Sequence, residues 1–269
     1  MFKAIRYGLM GIMAGMLFTC TGITNAIRPL VISDSSEIAL GAKFKTQMLA
    51  DTLKYPQSKN MIVTKYIDSI GQIIAHAQTD RINIPFTFTV IDDTIINAFS
   101  LLGGPVFIYT GLLKRAGSGA EVAGVLAHEI GHITMHHGAN RLVQAEGIGV
   151  VNQILFGSDS TITGTIATLL ENLAFLKYSR DDEYQADSCG VTYNSLAGYN
   201  PYGMKNFFDT LQHVLGDTGS FDMFSDHPNT SSRIDKVKTT IGKLTNTSWS
   251  ATDTTGLHIG EFAAIRSRL

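Results

Sequence analysis

Within this 269-residue chain, Ala127-His128-Glu129-Ile130-Gly131-His132 holds the residue types and spacing best suited to chemistry. On a helix, His128 and His132 stand one turn apart on the same face, where both imidazoles can reach one metal ion. Glu129 lies about 100° further round the helix. Its carboxylate would therefore address a water activated by the ion rather than the ion itself. This is the H-E-x-x-H arrangement of zinc peptidases, and taken alone it points to a metallohydrolase without saying which kind.

A catalytic zinc takes three protein ligands and keeps one position for water. Downstream candidates for the third are Glu146, Glu171, Asp181, Asp182, Glu183, Asp187 and His213, and the densest segment runs from Tyr178 to Asp187. Glu183 and Asp187 are four apart and share a helix face. One could ligate while the other accepts a hydrogen bond from a ligand imidazole. The same residues would also suit a solvated acidic face paired with Arg180, but the upstream motif favours the functional reading. His136 and His137 are expected to be exposed residues of the last turn, suited to the negative end of the helix dipole rather than to ligation.

The elements that must position these groups are partly legible. Ser118 and Glu121 form S-x-x-E, a capping box that starts the metal helix. Val122, Leu126, Ile130 and Ile133 form its buried stripe, and Gly138 is its expected stop. Helices are expected over Ser36 to Leu53 and Met61 to Ala77. Strands are expected over Phe86–Ile91, Ile95–Ser100 and Val106–Thr110, the last two joined through Gly103-Gly104-Pro105. The apolar segment from Gly147 to Phe175, broken at 157–160, reads as two packed helices or a mobile lid. A helical pattern continues from Glu171 to about Ser195, and another runs from Pro201 to about Leu215. The tail from Asn246 is Thr/Ser-rich and ends in a short amphipathic stretch, Glu261 to Leu269.

Composition excludes some functions. A formal net charge of -2 supplies no basic field for nucleic acid. At 44% hydrophobic, the chain can bury one full core. Lys3 and Arg6 precede an apolar run from Tyr7 to Phe18, the layout of a secretory signal peptide over residues 1–26. That run is shorter than the ~20 residues a membrane span needs. Two processing outcomes stay open, lipid modification of Cys20 or cleavage after Ala26. Cys189 is the one other cysteine. It reads as a small buried residue with no disulfide partner in the mature chain.

The segment Ser179-Arg180-x-x-Glu183-x-x-Ala186-Asp187 resembles the S-R-x-x-E-x-x-A-D motif of peptidase family M48, and the long gap from His132 to Glu183 does not fit thermolysin-like spacing. Four further segments are similar to the family's motifs and occur in its order. Asn97-Ala98-Phe99-Ser100-Leu101-Leu102-Gly103-Gly104 is similar to N-A-F-A-L-P-G-G, with Leu102 standing where the family has proline. Thr110-Gly111-Leu112-Leu113 matches T-G-L-L, and Ala197 to Pro201 resembles A-G-Y-D-P. His227 to Ile234 resembles H-P-x-T-x-x-R-I.

The resemblance implies an α+β, zincin-like metallopeptidase domain of minigluzincin type. It would be mostly helical, with a small antiparallel or mixed sheet, over residues 27–245, and residues 246–269 would pack on it as a tail. One Zn2+ per chain would be bound by His128, His132 and Glu183. Glu129 would be the general base and later return a proton to the leaving amine. Asp187 would orient a ligand histidine, His128 in particular. Asn97 and Ala98, on an edge strand, would hold substrate backbone by strand addition. His227 would stabilise the tetrahedral intermediate or close the resting site as a fourth ligand. Arg233 is a salt-bridge partner near the site and a candidate for substrate binding. The implied protein is an exported zinc endopeptidase of the bacterial periplasm, tethered to the outer membrane if Cys20 carries lipid. It would act on unfolded or misassembled envelope proteins. A peptidase with one dedicated client and a protease-silent, zinc-stabilised chaperone or assembly factor are the competing readings.

Overall fold

The computed structural model describes residues 32–157, 159–172, 177–215, 227, 230–244, 249 and 254–269. The expected leader with Cys20, the first residues of the Thr/Ser-rich tail, and Pro228-Asn229 of the H-P-x-T motif lie outside the described residues.

Two helices open the fold, α1 (Asp34–Ala50) and α2 (Met61–Ala77). Both begin on side-chain caps that satisfy otherwise orphaned N–H groups. Ser33 accepts from Ser36 N at 3.2 Å, and Asn60 Oδ1 accepts from Ile62 N and Val63 N. Three short strands follow, β1 (Thr87–Ile91), β2 (Ala98–Ser100) and β3 (Pro105–Tyr109). They form a mixed sheet in the order β1-β3-β2, with β1 parallel and β2 antiparallel to β3. This is the small mixed sheet in a mostly helical α+β domain that the sequence leads one to expect. The β2–β3 turn uses Gly103 and Gly104 at φ 73° and 132°, backbone that only glycine adopts without strain.

The sheet separates two apolar cores because strand residues alternate in direction. Ala98, Val106 and Ile108 face Ile67, Ile70 and Ile74 of α2 and Leu126 and Ile130. On the other face Phe99 stacks on Phe107 with ring centroids 4.9 Å apart, packed with Phe44 and Met48 of α1.

After the short α3 (Thr110–Arg115) comes α4 (Gly119–Thr134), which carries the H-E-x-x-H residues. Ser118 caps it by accepting from Glu121 N at 3.2 Å, while the Glu121 carboxylate accepts from Ser118 Oγ and from Gly117 N rather than from the cap residue's own N–H. The expected single buried stripe is too narrow a description: every residue of α4 is buried. Its sides are lined by Ala and Gly, so neighbouring elements close on it all round. The helix also stops before Gly138. His136 adopts a left-handed conformation, φ 60°, and breaks the chain into a new helix, α5 (His137–Phe156).

The apolar segment beyond folds as two helices, the second half of α5 and α6 (Asp159–Asn172), resting on α1. Gly147 at φ 77° interrupts α5, and Lys43 Nζ donates to the terminal carbonyls of Ile154 and Leu155 at 2.7 and 3.2 Å. The helical pattern expected to run unbroken from Glu171 to Ser195 is divided. α6 ends at Asn172, and α7 (Arg180–Leu196) starts afresh on a complete capping box between Ser179 and Asp182. Among the described residues the remaining helices are α8 (Tyr202–Leu215), α9 (Thr230–Ile241) and α10 (Ile259–Arg266). Val191, Met204, Phe208, Ile234 and Val237 join α7, α8 and α9 in a third apolar cluster. Among the described residues, no helix is long and apolar enough to cross a membrane.

Candidate metal centre

The centre is built where α4 and α7 run side by side. Their approach depends on the absence of side chains at two positions. A Cβ on Gly131 would lie 3.0 Å from Ala186 O, and one on Gly190 would lie 3.1 Å from His128 N. This close packing brings Glu183 and Asp187, one turn apart on α7, against His128 and His132, one turn apart on α4.

His128, His132, Glu183 and His227 are all buried, and each offers one ligand atom to a set lying within 4.8 Å of one another. His128 Nε2 and His132 Nε2 are 3.0 Å apart, and Glu183 carboxylate oxygens lie 3.5 and 3.4 Å from them. His227 Nδ1 is 3.3 Å from His128 Nε2 and 2.8 Å from Glu183 Oε1. Ligands about 2.1 Å from a tetrahedral zinc stand roughly 3.4 Å from each other, so these separations fit such an ion. Glu183 Oε2 is buried without a hydrogen-bond partner of proper geometry, although Arg233 Nη1 lies 2.8 Å away.

Glu129 stays outside this set. Its Oε1 is buried, makes no hydrogen bond, and lies 3.6 Å from His227 Nε2. Asp187 Oδ1 is 2.9 Å from His128 Nδ1. That contact makes Nδ1 the donor and leaves Nε2 free to ligate. Arg233, buried on α9, donates to both Asp187 oxygens, Nε at 2.8 Å and Nη2 at 2.7 Å. Its guanidinium is thus engaged by two carboxylates, Asp187 and, through Nη1, Glu183.

His137 is the residue that sequence reasoning misjudged. It is buried rather than exposed, and its Nδ1 lies 3.0 Å from His132 Nδ1. Its Nε2 meets Gln185 Oε1 at 3.1 Å. With His137 Nε2–H donating to Gln185, His137 Nδ1 accepts from His132 Nδ1–H, and His132 Nε2 is left to face the centre. Tyr178 stacks on the His132 ring at 3.8 Å between centroids. The spacing of five from His132 gave no helical reason to bring His137 back; the chain reversal at His136 does so. His136 itself is held by Glu37 at 2.7 Å, and Glu37 also pairs with Arg81, which donates to Ile133 O at the end of α4.

The electrostatics follow from these neighbours. Burial alone would raise the Glu183 carboxyl, but His227 and Arg233 outweigh it and hold it well below the usual carboxylate range. Asp187 is likewise lowered, burial being overcome by Arg233 and His128. Burial and Arg233 oppose protonation of His128, yet Asp187 and Glu183 carry its imidazole up to about 9. Burial drives His132 well below its usual value, and His137 is lowered for the same reason.

Asn97 and Ala98 lie at and within β2, whose only partner among the described strands is β3. Asn97 Oδ1 is buried with no hydrogen-bond partner. All three β2 residues are buried, so adding a further strand there requires this edge to be uncovered. Cys189 is partly buried and unpaired, and burial pushes its thiol up to about 11.

The model of peptidase family M48 matches residues 62–241, most of the described chain. The chain belongs to peptidase family M48. This M48 chain is 30% identical over 193 residues to the beta-barrel assembly-enhancing protease of Yersinia pestis, covering 67% of this chain and 38% of that protein. It is 31% identical over 156 residues to the mitochondrial metalloendopeptidase OMA1 of Arabidopsis thaliana, covering 58% and 32%. A third relative, the metalloprotease YcaL of Escherichia coli (strain K12), is 25% identical over 219 residues, covering 80% and 83%. The match therefore spans well under half the length of the barrel-assembly relative, and most of the length of YcaL. The buried histidine–carboxylate group is the metal-site-like feature of this M48 chain.

Proposed function

We propose that this chain is a zinc endopeptidase that hydrolyses peptide bonds of misfolded or misassembled cell-envelope proteins. The observation that carries the reading is the closed group of His128, His132, Glu183 and His227 with the unpartnered Glu129 Oε1 beside it. Imidazole and carboxylate donors in tetrahedral spacing suit zinc. When bound, the ion would supply Lewis acidity to the scissile carbonyl and to water. Residues of the chain do the rest. Asp187 and His137 hold the two imidazoles of α4 in the tautomers that present Nε2. Glu129 takes the proton of the attacking water and gives it to the leaving nitrogen. The β2 edge, with Asn97 and Ala98, would seat an extended peptide through backbone hydrogen bonds, a mode that reads conformation more than sequence and suits unfolded clients.

His227 completes a four-donor group, as in zinc sites closed to water. Together with the buried β2 edge, this supports a resting, closed arrangement in which His227 withdraws for turnover, over the reading in which it stabilises the intermediate. Replacing His227 by Ala should then leave metal bound and raise basal cleavage severalfold; a tenfold loss of activity would favour the other role.

Envelope location rests on the signal-like residues 1–26 and on relatives named for barrel assembly. Intact mass of the mature protein distinguishes a lipid on Cys20 from cleavage after Ala26. The function itself is tested by incubating zinc-loaded wild type and Glu129→Gln with unfolded casein. Cleavage by the wild type alone supports the peptidase. No cleavage by the wild type, with zinc bound and aggregation of the client suppressed, would instead support the chaperone reading.

A further inference from the structure

Glu129 is held by a residue that lies outside the metal group. Ser100 Oγ donates to Glu129 Oε2 at 2.9 Å, and the two residues are 2% and 0% exposed. The other carboxylate oxygen, Oε1, has no hydrogen bond and faces the centre. Ser100 ends β2, opposite Val106 of β3, on the strand face that Ala98 shares and that packs toward α4. Serine is the residue of this strand whose side chain can donate.

We propose that Ser100 is a positioning residue for peptide hydrolysis. Its hydroxyl fixes the Glu129 carboxylate in one orientation, with Oε2 engaged and Oε1 aimed at the attacking water. In that step the water oxygen bonds to the carbonyl carbon as its proton passes to Oε1. The same proton then goes to the leaving nitrogen as the C–N bond breaks. Orientation of a base by an ångström or less carries a large share of such a barrier, whereas a carboxylate with both oxygens unheld in a buried site samples several rotamers. Ser100 also belongs to the strand proposed to receive the peptide. A peptide seated in register therefore steadies the residue that holds the base, which couples seating to proton transfer. The inference rests on the reading of Glu129 as general base.

The test uses zinc-loaded Ser100→Ala and Ser100→Thr with a dye-labelled unfolded substrate. Ser100→Ala should lower kcat about 10-fold with KM and zinc content unchanged, and Ser100→Thr, which keeps the hydroxyl, should restore most of it. A second readout needs no turnover. After chelation, Ser100→Ala should lower the unfolding midpoint by about 2–4 °C in the wild-type background and leave it unmoved when Glu129 is already Ala. Unchanged kcat in Ser100→Ala, a loss that threonine does not repair, a fall in zinc content, or equal midpoint shifts in both backgrounds overturns the proposal. Activity retained by Glu129→Gln would overturn the general-base reading itself, whatever Ser100 does.

Discussion

On the α7 side of the metal helix, His128 is oriented by charge: Asp187 at its Nδ1, with Arg233 bound across both Asp187 oxygens. On the α5 side, the direct partner of His132 is neutral: His137 sits at its Nδ1, with Gln185 and, at 3.7 Å from His137 Nε2, the partly exposed Asp182 carboxylate behind it, and the Tyr178 ring stacks on the His132 face. The imidazoles differ as well: against burial and Arg233, Asp187 and Glu183 carry His128 up to about 9, while burial presses His132 well below its usual value. One helix turn thus separates an anionic support from a neutral one. Two carboxylate supports would add another buried negative charge beside Glu183 and Glu129, and an uncompensated buried charge is costly. The neutral side fixes a tautomer without adding charge, and Arg233 offsets the charge of the other.

The largest expected effect comes from breaking the charged side. Asp187→Ala leaves Arg233 buried without its bidentate partner, so unfolding free energy should fall by about 3–5 kcal/mol. Zinc affinity should fall by about 100-fold, as measured by competition with a chromophoric chelator. A loss no greater than that of a surface carboxylate would break the comparison. His137→Ala, on the neutral side, should cost about 10-fold in affinity and less stability, since no buried charge is stranded; a larger stability loss than that of Asp187→Ala would reverse the assignment.

The charged side also carries a pH signature. Asp187 and Glu183 titrate below their unfolded values, so their contribution is fully present above the usual carboxylate range and is lost as pH falls through the lowered folded values. Acid unfolding of chelated wild type should therefore be steep on the low-pH side, and Asp187→Asn should flatten it. The smallest effect concerns Cys189, on the α7 face away from the ligands. With its thiol raised to about 11, it should react with a disulfide reagent at pH 8 many-fold more slowly than after denaturation. Native labelling at the denatured rate would show α7 to be more open than described.

Sequence spacing carried much of this centre because its first contacts are one helix turn apart. His128 with His132, and Glu183 with Asp187, are pairs at i and i+4 on two helices, and the Met61–Ala77 helix was legible from its apolar period. What the spacing could not carry depends on chain reversals and on packing. His137 returns to His132 only because His136 is left-handed, and no periodic signal marks that position. Arg233 acquires its role from the docking of α9. The division between α6 and α7 was hidden because Ser179 and Asp182 read as members of a continuing acidic helix, although they are its cap. The full burial of α4 was invisible because its Gly and Ala positions look indifferent in a hydrophobic pattern, while in space they are where α7 and the sheet approach. Ser100 stands alone in a short strand and acquires meaning only from the Glu129 carboxylate beside it.

The central claim is that His128, His132 and Glu183 hold the ion while Glu129 stands outside it. Metal analysis of purified wild type, Glu129→Gln and Glu183→Ala, each equilibrated with one equivalent of zinc and then desalted, tests it most directly. The account predicts that wild type and Glu129→Gln retain one zinc per chain and that Glu183→Ala retains little. Equal zinc in all three, or loss of zinc in Glu129→Gln, would contradict it.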